Sequence, residues 1–309
     1  MKKILAFALA LTAAGLSYAA QPLLAPAELK AQLGSPTVRV IDIRDPKAYA
    51  AQHIPGAINA PYGKWRGPAS NPGELPELSR LSALVQSLGL TPAIHAVVVS
   101  SGADSTDFGA SARVYWTLKV LGLKELSILN GGVKAWTQAG LPQDNKAVTV
   151  TASTYAPQLD TSLIAGRDEV AQKASTGAAV LVDARPADFF EGETRHQAAK
   201  LPGTLKGAVN VQHSSFFNGN SAVFVPEKAR ASVPADPDKE AVAFCNTGHW
   251  AATDWFAFSE IAGHKNVKLY PGSMVDWTQD PQGLPMANVP GRAKQLLIDA
   301  KLWAERTFH

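Results

Sequence analysis

Short apolar runs alternate with polar turns and helical stretches along this chain, and the same series of patterns is written twice. Val38-Arg39-Val40-Ile41-Asp42-Ile43-Arg44 is an apolar run ending in Asp-x-Arg, and Ala179-Val180-Leu181-Val182-Asp183-Ala184-Arg185 repeats it. Pro55-Gly56-Ala57-Ile58-Asn59 matches Lys206-Gly207-Ala208-Val209-Asn210, and Gly131-Gly132 aligns on Gly272-Ser273. Trp136-Thr137-Gln138 recurs as Trp277-Thr278-Gln279, where the tryptophans read as core residues closing each copy. The step from Asp42 to Gly131 equals the step from Asp183 to Gly272. A period this long marks duplicated domains and not a solenoid.

Within the first copy the runs at residues 38–43, 96–100 and 126–129 predict strands, with a helix over 110–121 between the last two. That alternation predicts an α/β fold, two tandem domains each with a mostly parallel sheet flanked by helices. The expected division is a domain over 23–142, a linker rich in Thr, Ser and small residues over 143–159, and a domain over 160–289. A terminal helix over 290–309, with Leu296, Leu297, Ala300 and Trp303 as its apolar positions, is expected to dock on the second domain.

Cys245 is the only cysteine in 309 residues. It follows the apolar run Ala241-Val242-Ala243-Phe244 and opens the loop Cys245-Asn246-Thr247-Gly248-His249-Trp250, after which Ala251 begins a helical stretch. A strand, a short loop and a helix start aim several N–H groups at the loop, which stabilises a thiolate. Ligands of such sheets sit beyond the carboxyl ends of the strands, where Ser100 and Cys245 both fall.

Residues 1–19 have the form of a secretory signal peptide: a charged start at Lys2 and Lys3, an apolar stretch over 4–16, and Ser17-Tyr18-Ala19 as a cleavage site. Export to the periplasm or beyond is therefore expected, and an unpaired cysteine in such a compartment needs a reason to persist. Losing Lys2 and Lys3 lowers the formal charge from +3 to +1. A chain so nearly neutral carries no electrostatic case for nucleic acid or for an anionic membrane as partner. No later run is long enough to span a membrane.

Aligning the copies places Ser100 opposite Cys245. The first copy then has Ser100 through Gly109 before its helix, about four residues more than the second, with Asp104 and Asp107 but no histidine. Serine without a base is a poor nucleophile, and two aspartates oppose an anionic substrate. The first domain is expected to be catalytically silent, a scaffold and one wall of a cleft.

These features together resemble the tandem-domain rhodaneses, the thiosulfate and 3-mercaptopyruvate sulfurtransferases. The resemblance rests on the Asp-x-Arg strand ends, the Pro-Gly-Ala-Ile-Asn segment, the Cys-x-x-Gly-x-x-Ala loop and the Gly-Gly…Trp close of each copy, and it runs from about Leu23 to Pro285. It implies that the Cys245 thiolate takes the sulfane sulfur of a donor, and that the persulfide passes it to cyanide, a thiol or a protein acceptor. No metal or other cofactor is implied.

The family comparison also implies which residues meet the donor. Asn246 and Thr247 are neutral where thiosulfate-type members carry cations, which leans toward mercaptopyruvate. The partner histidine of that type has no counterpart in residues 65–76, and export favours thiosulfate, the preferred donor here. Arg185, at the second Asp-x-Arg, and Arg195, in an insertion at 191–203, are the expected anion-binding side chains. Arg44 occupies the place of Arg185 in the silent copy, so a structural pairing with Asp183 competes with that role. Lys206 and Arg66 are lesser options. Gly248 completes the loop, while His249 and Trp250 are read as pocket walls, His249 adding charge when protonated. A cysteine–histidine protease and a metal site are disfavoured by the tight loop and the absence of a second ligand pair. A phosphatase would need an arginine closing the loop. A persulfide carrier that serves a partner protein is the other alternative.

Overall fold

A computed structural model describes residues 20–232 and 239–308, so the leader expected at 1–19 lies outside the described residues. The first half contains β1 (Leu23–Leu24), β2 (Val38–Asp42), β3 (Ile58–Asn59), β4 (His95–Val99) and β5 (Leu126–Leu129). They form one parallel sheet in the order β1-β5-β4-β2-β3. Its helices are α1 (Pro26–Gln32), α2 (Pro46–Ala51), α3 (Leu78–Ser87), α4 (Ser105–Val120) and α5 (Gly132–Gln138). Val97, Val98 and Val99 of the central strand are all buried, as a parallel strand covered on both faces requires.

The second half contains β6 (Ala179–Asp183), β7 (Thr204–Leu205), β8 (Val209–Asn210), β9 (Glu240–Phe244), β10 (Val267–Leu269) and β11 (Met286–Ala287). The sheet β10-β9-β6-β8 repeats β5-β4-β2-β3 strand for strand, and β7 pairs separately with β11. A single bridge between Ile164 and Leu269 stands where β1 pairs with β5. The helices are α6 (Arg167–Thr176), α7 (Ala187–Phe190), α8 (Pro226–Ala231), α9 (Trp250–Trp255), α10 (Ser273–Gln279) and α11 (Arg292–Phe308).

Strand register explains the repeated motifs. Asp42 lies opposite Val99 and Asp183 opposite Phe244, so Ser100 and Cys245 leave their sheets at equivalent rungs. Asn59 donates to the carbonyls of Asp42 and Arg44, and Asn210 donates to those of Asp183 and Arg185. The asparagine of each Gly-Ala-x-Asn segment thus clamps the Asp-x-Arg strand end beside it.

The predicted extra length of the first loop is not there. Asp104 caps α4 by accepting the N–H of Asp107 at 2.9 Å, and the helix begins at Ser105 and not at residue 110. The loops 100–104 and 245–249 are therefore equal in length. The four extra residues lie in the helix: α4 has 16 residues, whereas α9 has 6 and continues as a π-helix of 6, Phe256–Ile261.

The α4 helix has no polar face because it is buried between its own sheet and the other domain. Phe108 meets Phe217, Phe224 and Phe256 at centroid distances of 5.3, 5.2 and 5.7 Å, and Tyr115 packs edge-on against Phe256. Tyr115 Oη and Lys119 Nζ both donate to Glu260 at 2.7 Å. One continuous apolar core therefore crosses the domain boundary. Residues of the expected linker lie along the first domain, with Ser153 bound to Gln86 and Leu90 and Tyr155 to Leu121.

The terminal helix docks by a face different from the one its apolar pattern predicts. Ile298 is buried, while Leu296, Leu297, Ala300 and Trp303 are exposed. Asp299 and Lys294 pair with Arg195 and Glu193 of the insertion. Among the described residues, no helix is long and apolar enough to cross a membrane.

Candidate active site

The Cys245 side chain sits at the bottom of its loop, 1% exposed, directly after β9. The loop carbonyls all point away from it. Those of Cys245 and Asn246 accept the N–H groups of Met274 and Val275 at 3.1 Å, at the start of α10. Those of Thr247 and Gly248 accept from Arg66 Nη2 at 2.8 Å and Arg113 Nη1 at 3.1 Å. The N–H groups of the loop are only partly engaged. Those of Asn246, Thr247, His249 and Trp250 have no acceptor among the described residues. Such a nest of free N–H groups suits a large, diffuse anion on sulfur.

Ser273 braces the loop from below. Its Oγ accepts the N–H groups of Cys245 at 3.0 Å and Gly248 at 3.1 Å, and donates to the carbonyl of Tyr270 at 2.8 Å. It does so at φ 54°, a left-handed conformation that ordinarily favours glycine. The equivalent Gly132 has φ 57°, and a Cβ there would come within 2.5 Å of the Ser100 carbonyl oxygen. The second copy thus accepts backbone strain of ~1–3 kcal/mol in exchange for one hydroxyl that holds two N–H groups.

The first domain supplies more than a wall. Arg113 of α4 is fully buried, lies over the Trp116 ring and holds the carbonyls of both Gly248 and Gly73. Burial, and then the neighbouring charge of Arg66, lower its pKa to about 9. Tyr62 Oη donates to His249 Nδ1 at 2.7 Å, and His249 Nε2 donates to the Thr106 carbonyl at 2.8 Å. A carbonyl only accepts, so the proton lies on Nε2 and the ring is neutral. Burial, followed by the charge of Arg66, pushes the His249 pKa down to about 3. The expectation that His249 adds charge is therefore corrected: it is a neutral tie between the domains.

Trp250 stacks on His213 at 4.8 Å, meets Phe189 edge-on and donates from Nε1 to Thr106 Oγ1 at 3.2 Å. It is a wall beside the loop, as is His213, whose pKa burial lowers to about 4.

Arg185 lies next to the loop but is engaged. Its Nε and Nη2 clasp Asp183, with Nη2–Oδ2 at 2.6 Å, and Nη2 also donates to Gly203. Arg44 clasps Asp42 at the same 2.6 Å in the first copy. Only Nη1 faces the loop, donating to Asn246 Oδ1 at 3.4 Å. Arg185 thereby orients Asn246 through a largely structural ion pair. Thr247 is buried beside it, and Lys206 is exposed on the turn after β7.

Arg195 has a different task from the one expected. Its Nε and Nη2 donate to Asp299 of α11, and its Nη1 donates to the carbonyls of His196, Gln197 and Ala199. Every nitrogen of the guanidinium is occupied in fastening the insertion to the terminal helix.

The Rhodanese-like domain family matches residues 25–139 and again 166–280. The chain belongs to the rhodanese family. A Mycolicibacterium smegmatis protein, provisionally named a thiosulfate sulfurtransferase, is 31% identical over 263 residues, covering 81% of this chain and 91% of that one. The thiosulfate sulfurtransferase of Azotobacter vinelandii is 29% identical over 269 residues, covering 85% and 97%. Among solved structures, the 3-mercaptopyruvate sulfurtransferase of Leishmania major superposes with a TM-score of 0.68 at 23% identity, covering 82% of this chain and 73% of that one. The corresponding Escherichia coli enzyme does so with 0.70 at 23%, covering 81% and 98%.

In this rhodanese the first copy carries its own anion. Asp107 Oδ2 accepts the N–H groups of Gly102 at 2.6 Å and Ala103 at 3.3 Å. The first loop thus gives N–H groups to a carboxylate, while the second leaves those of Asn246, Thr247, His249 and Trp250 without an acceptor among the described residues. The sequence reading did not identify Tyr62, Arg113 or Ser273 as site residues. The pairing of Gly132 with Ser273 in the repeat was the one available signal, a serine at a position where the first copy keeps glycine.

Proposed function

We propose that this protein is a rhodanese-type sulfurtransferase with Cys245 as nucleophile and thiosulfate as sulfur donor. The observation that carries the reading is the lone thiol in a loop whose carbonyls from Cys245 to Gly248 are all bonded and whose N–H groups at Asn246, Thr247, His249 and Trp250 remain free among the described residues. The thiolate attacks the outer sulfur of thiosulfate, the S–S bond breaks, and its electron pair departs with sulfite. The enzyme is left as a Cys245 persulfide, with total charge conserved. Cyanide or a thiolate then takes the outer sulfur and restores the Cys245 thiolate. The free N–H groups stabilise the persulfide anion between the two steps.

The names of the M. smegmatis and A. vinelandii relatives support thiosulfate as the donor. The form of residues 1–19 supports a reading in which the enzyme is exported and works in the periplasm. A protein thiol is a further acceptor compatible with this chemistry. Intact mass of the protein after incubation with thiosulfate tests the reading. One added sulfur atom is expected, removed by cyanide and never seen in Cys245→Ser. No mass gain from thiosulfate or 3-mercaptopyruvate would remove sulfur transfer as the function.

A further inference from the structure

Arg66 spends half of its guanidinium and leaves the other half idle. Nη2 holds the Thr247 carbonyl at 2.8 Å, while Nη1 is shielded from water and bonds to nothing among the described residues. A buried donor on a charged group is costly to leave unmatched, and such a vacancy calls for a partner.

The charge of Arg66 is unmatched as well. Among the described residues Arg185 pairs with Asp183, Arg195 with Asp299 and Arg44 with Asp42, but no carboxylate pairs with Arg66 or Arg113. Two uncompensated cations of the first domain therefore grip consecutive carbonyls of the Cys245 loop. The Arg66 guanidinium lies 5.3 Å from the centroid of the Tyr62 ring. Its field also reaches His249 of the loop and His196 of the insertion, lowering the pKa of both after burial has done so. Arg66 thus lies among Tyr62, His249 and His196, from three segments that converge on the loop, with the Arg113 charge nearby. A region of low dielectric with net positive charge and one free donor fits a small oxyanion.

The geometry points to Arg66 as the receptor for the oxyanion of the sulfur donor, with Nη1 donating to it while Nη2 keeps the Thr247 carbonyl. This assignment rests on the sulfur-transfer reading. The oxyanion is the SO₃ group of thiosulfate or the carboxylate of 3-mercaptopyruvate. With thiosulfate, negative charge moves onto the departing sulfite as the S–S bond breaks, and Arg66 meets it there. With mercaptopyruvate, the C–S bond breaks and the thiol proton ends on the methyl carbon of pyruvate. The donor-binding cation then comes from the silent domain, which explains why Arg185 and Arg195 can be given to structural pairs.

The test compares wild type, Arg66→Gln and Arg66→Lys, with the fold of each checked by thermal melting. Gln keeps a donor for the Thr247 carbonyl but loses the charge. Persulfide formation is followed by intact mass with thiosulfate, with 3-mercaptopyruvate and with inorganic disulfide, HS–S⁻, whose hydrosulfide leaving group has no oxygen. With the oxyanion donor that serves wild type, Arg66→Gln is expected to lose about 10- to 100-fold in kcat/KM, and Arg66→Lys to recover part of it. Loading from HS–S⁻ should stay within about threefold. Unchanged loading in Arg66→Gln, or an equal loss with every donor, overturns the assignment and leaves Arg66 as a brace for Thr247. Wild type that loads from none of the three defeats the sulfur-transfer reading itself, and wild type that loads from HS–S⁻ alone defeats the oxyanion-donor reading and Arg66's role with it.

Discussion

Tyr62 and His249 meet across the domain boundary, with the phenol donating to Nδ1 at 2.7 Å and the ring passing its own proton to the Thr106 carbonyl. Both nitrogens of a histidine four residues from Cys245 are thus spent on the first domain. The Cys245 loop is held by the first domain as well as by its own.

A pH dependence of stability follows. His249 has a folded pKa of about 3 against an unfolded value near 6.5, so below pH 6.5 the unfolded chain binds a proton that the native ring does not. Its stabilising contribution is present above pH 6.5 and is lost as pH falls toward 3. Tyr62→Phe leaves Nδ1 without a donor and should cost about 1–3 kcal/mol at pH 7. That deficit should shrink below pH 6, because the freed nitrogen protonates more readily. Urea denaturation at several pH values measures the gap, and a constant gap would argue against a neutral His249.

Ser273 separates hydroxyl from strain. Ser273→Ala keeps the left-handed backbone and strips the acceptor from two buried N–H groups, so a loss of about 1–3 kcal/mol is expected. Ser273→Gly loses the same hydroxyl but relieves the strain, and should be about 1 kcal/mol more stable than the alanine variant. Both should form persulfide more slowly than wild type. Equal stabilities of the two variants would show that φ at this position costs nothing.

A cysteine placed in the silent loop should not become a second centre. In Ser100→Cys combined with Cys245→Ser, Asp107 still occupies the N–H groups of Gly102 and Ala103 with a carboxylate. No sulfur gain from thiosulfate is expected by intact mass. Persulfide formation at residue 100 at a rate near that of wild type would show that the open N–H nest is dispensable.

Asp254 is fully buried with neither carboxylate oxygen hydrogen-bonded, and burial followed by the charge of Cys245 raises its pKa well above the ordinary value. A raised folded pKa means that stability is fully present below the unfolded value, about 3.9, and declines as pH rises toward the folded value. Asp254→Asn is always neutral and escapes that decline. Its melting temperature should match that of wild type near pH 4 and exceed it increasingly toward pH 8. A difference independent of pH would mean that Asp254 is ionised in the native protein.

The features visible in the sequence were local or repeated. Cys245 after an apolar run, the Asp-x-Arg strand ends and the Gly-Ala-x-Asn segments are all short patterns within one copy, and the second copy checks the first. The start of α4 escaped because the polar run Ser105-Thr106-Asp107 reads as loop until Asp104 is known to cap it and the helix is known to be buried on every side. Arg195 stood in the expected insertion, but its partner Asp299 lies 104 residues away, on a helix whose docking face its apolar pattern did not reveal.

By itself the sequence determined the duplication and the α/β class, and it singled out Cys245 and its counterpart Ser100, because each depends on residue type and short spacing. Only the tertiary structure decided which cations hold the Cys245 loop. Arg66, Arg113 and Tyr62 reach the loop across separations of 181, 135 and 187 residues. Nothing in local sequence encodes the choice. Arg185 and Arg195 lie nearer in sequence but meet carboxylates first, and a charge already paired is not free to bind an anion.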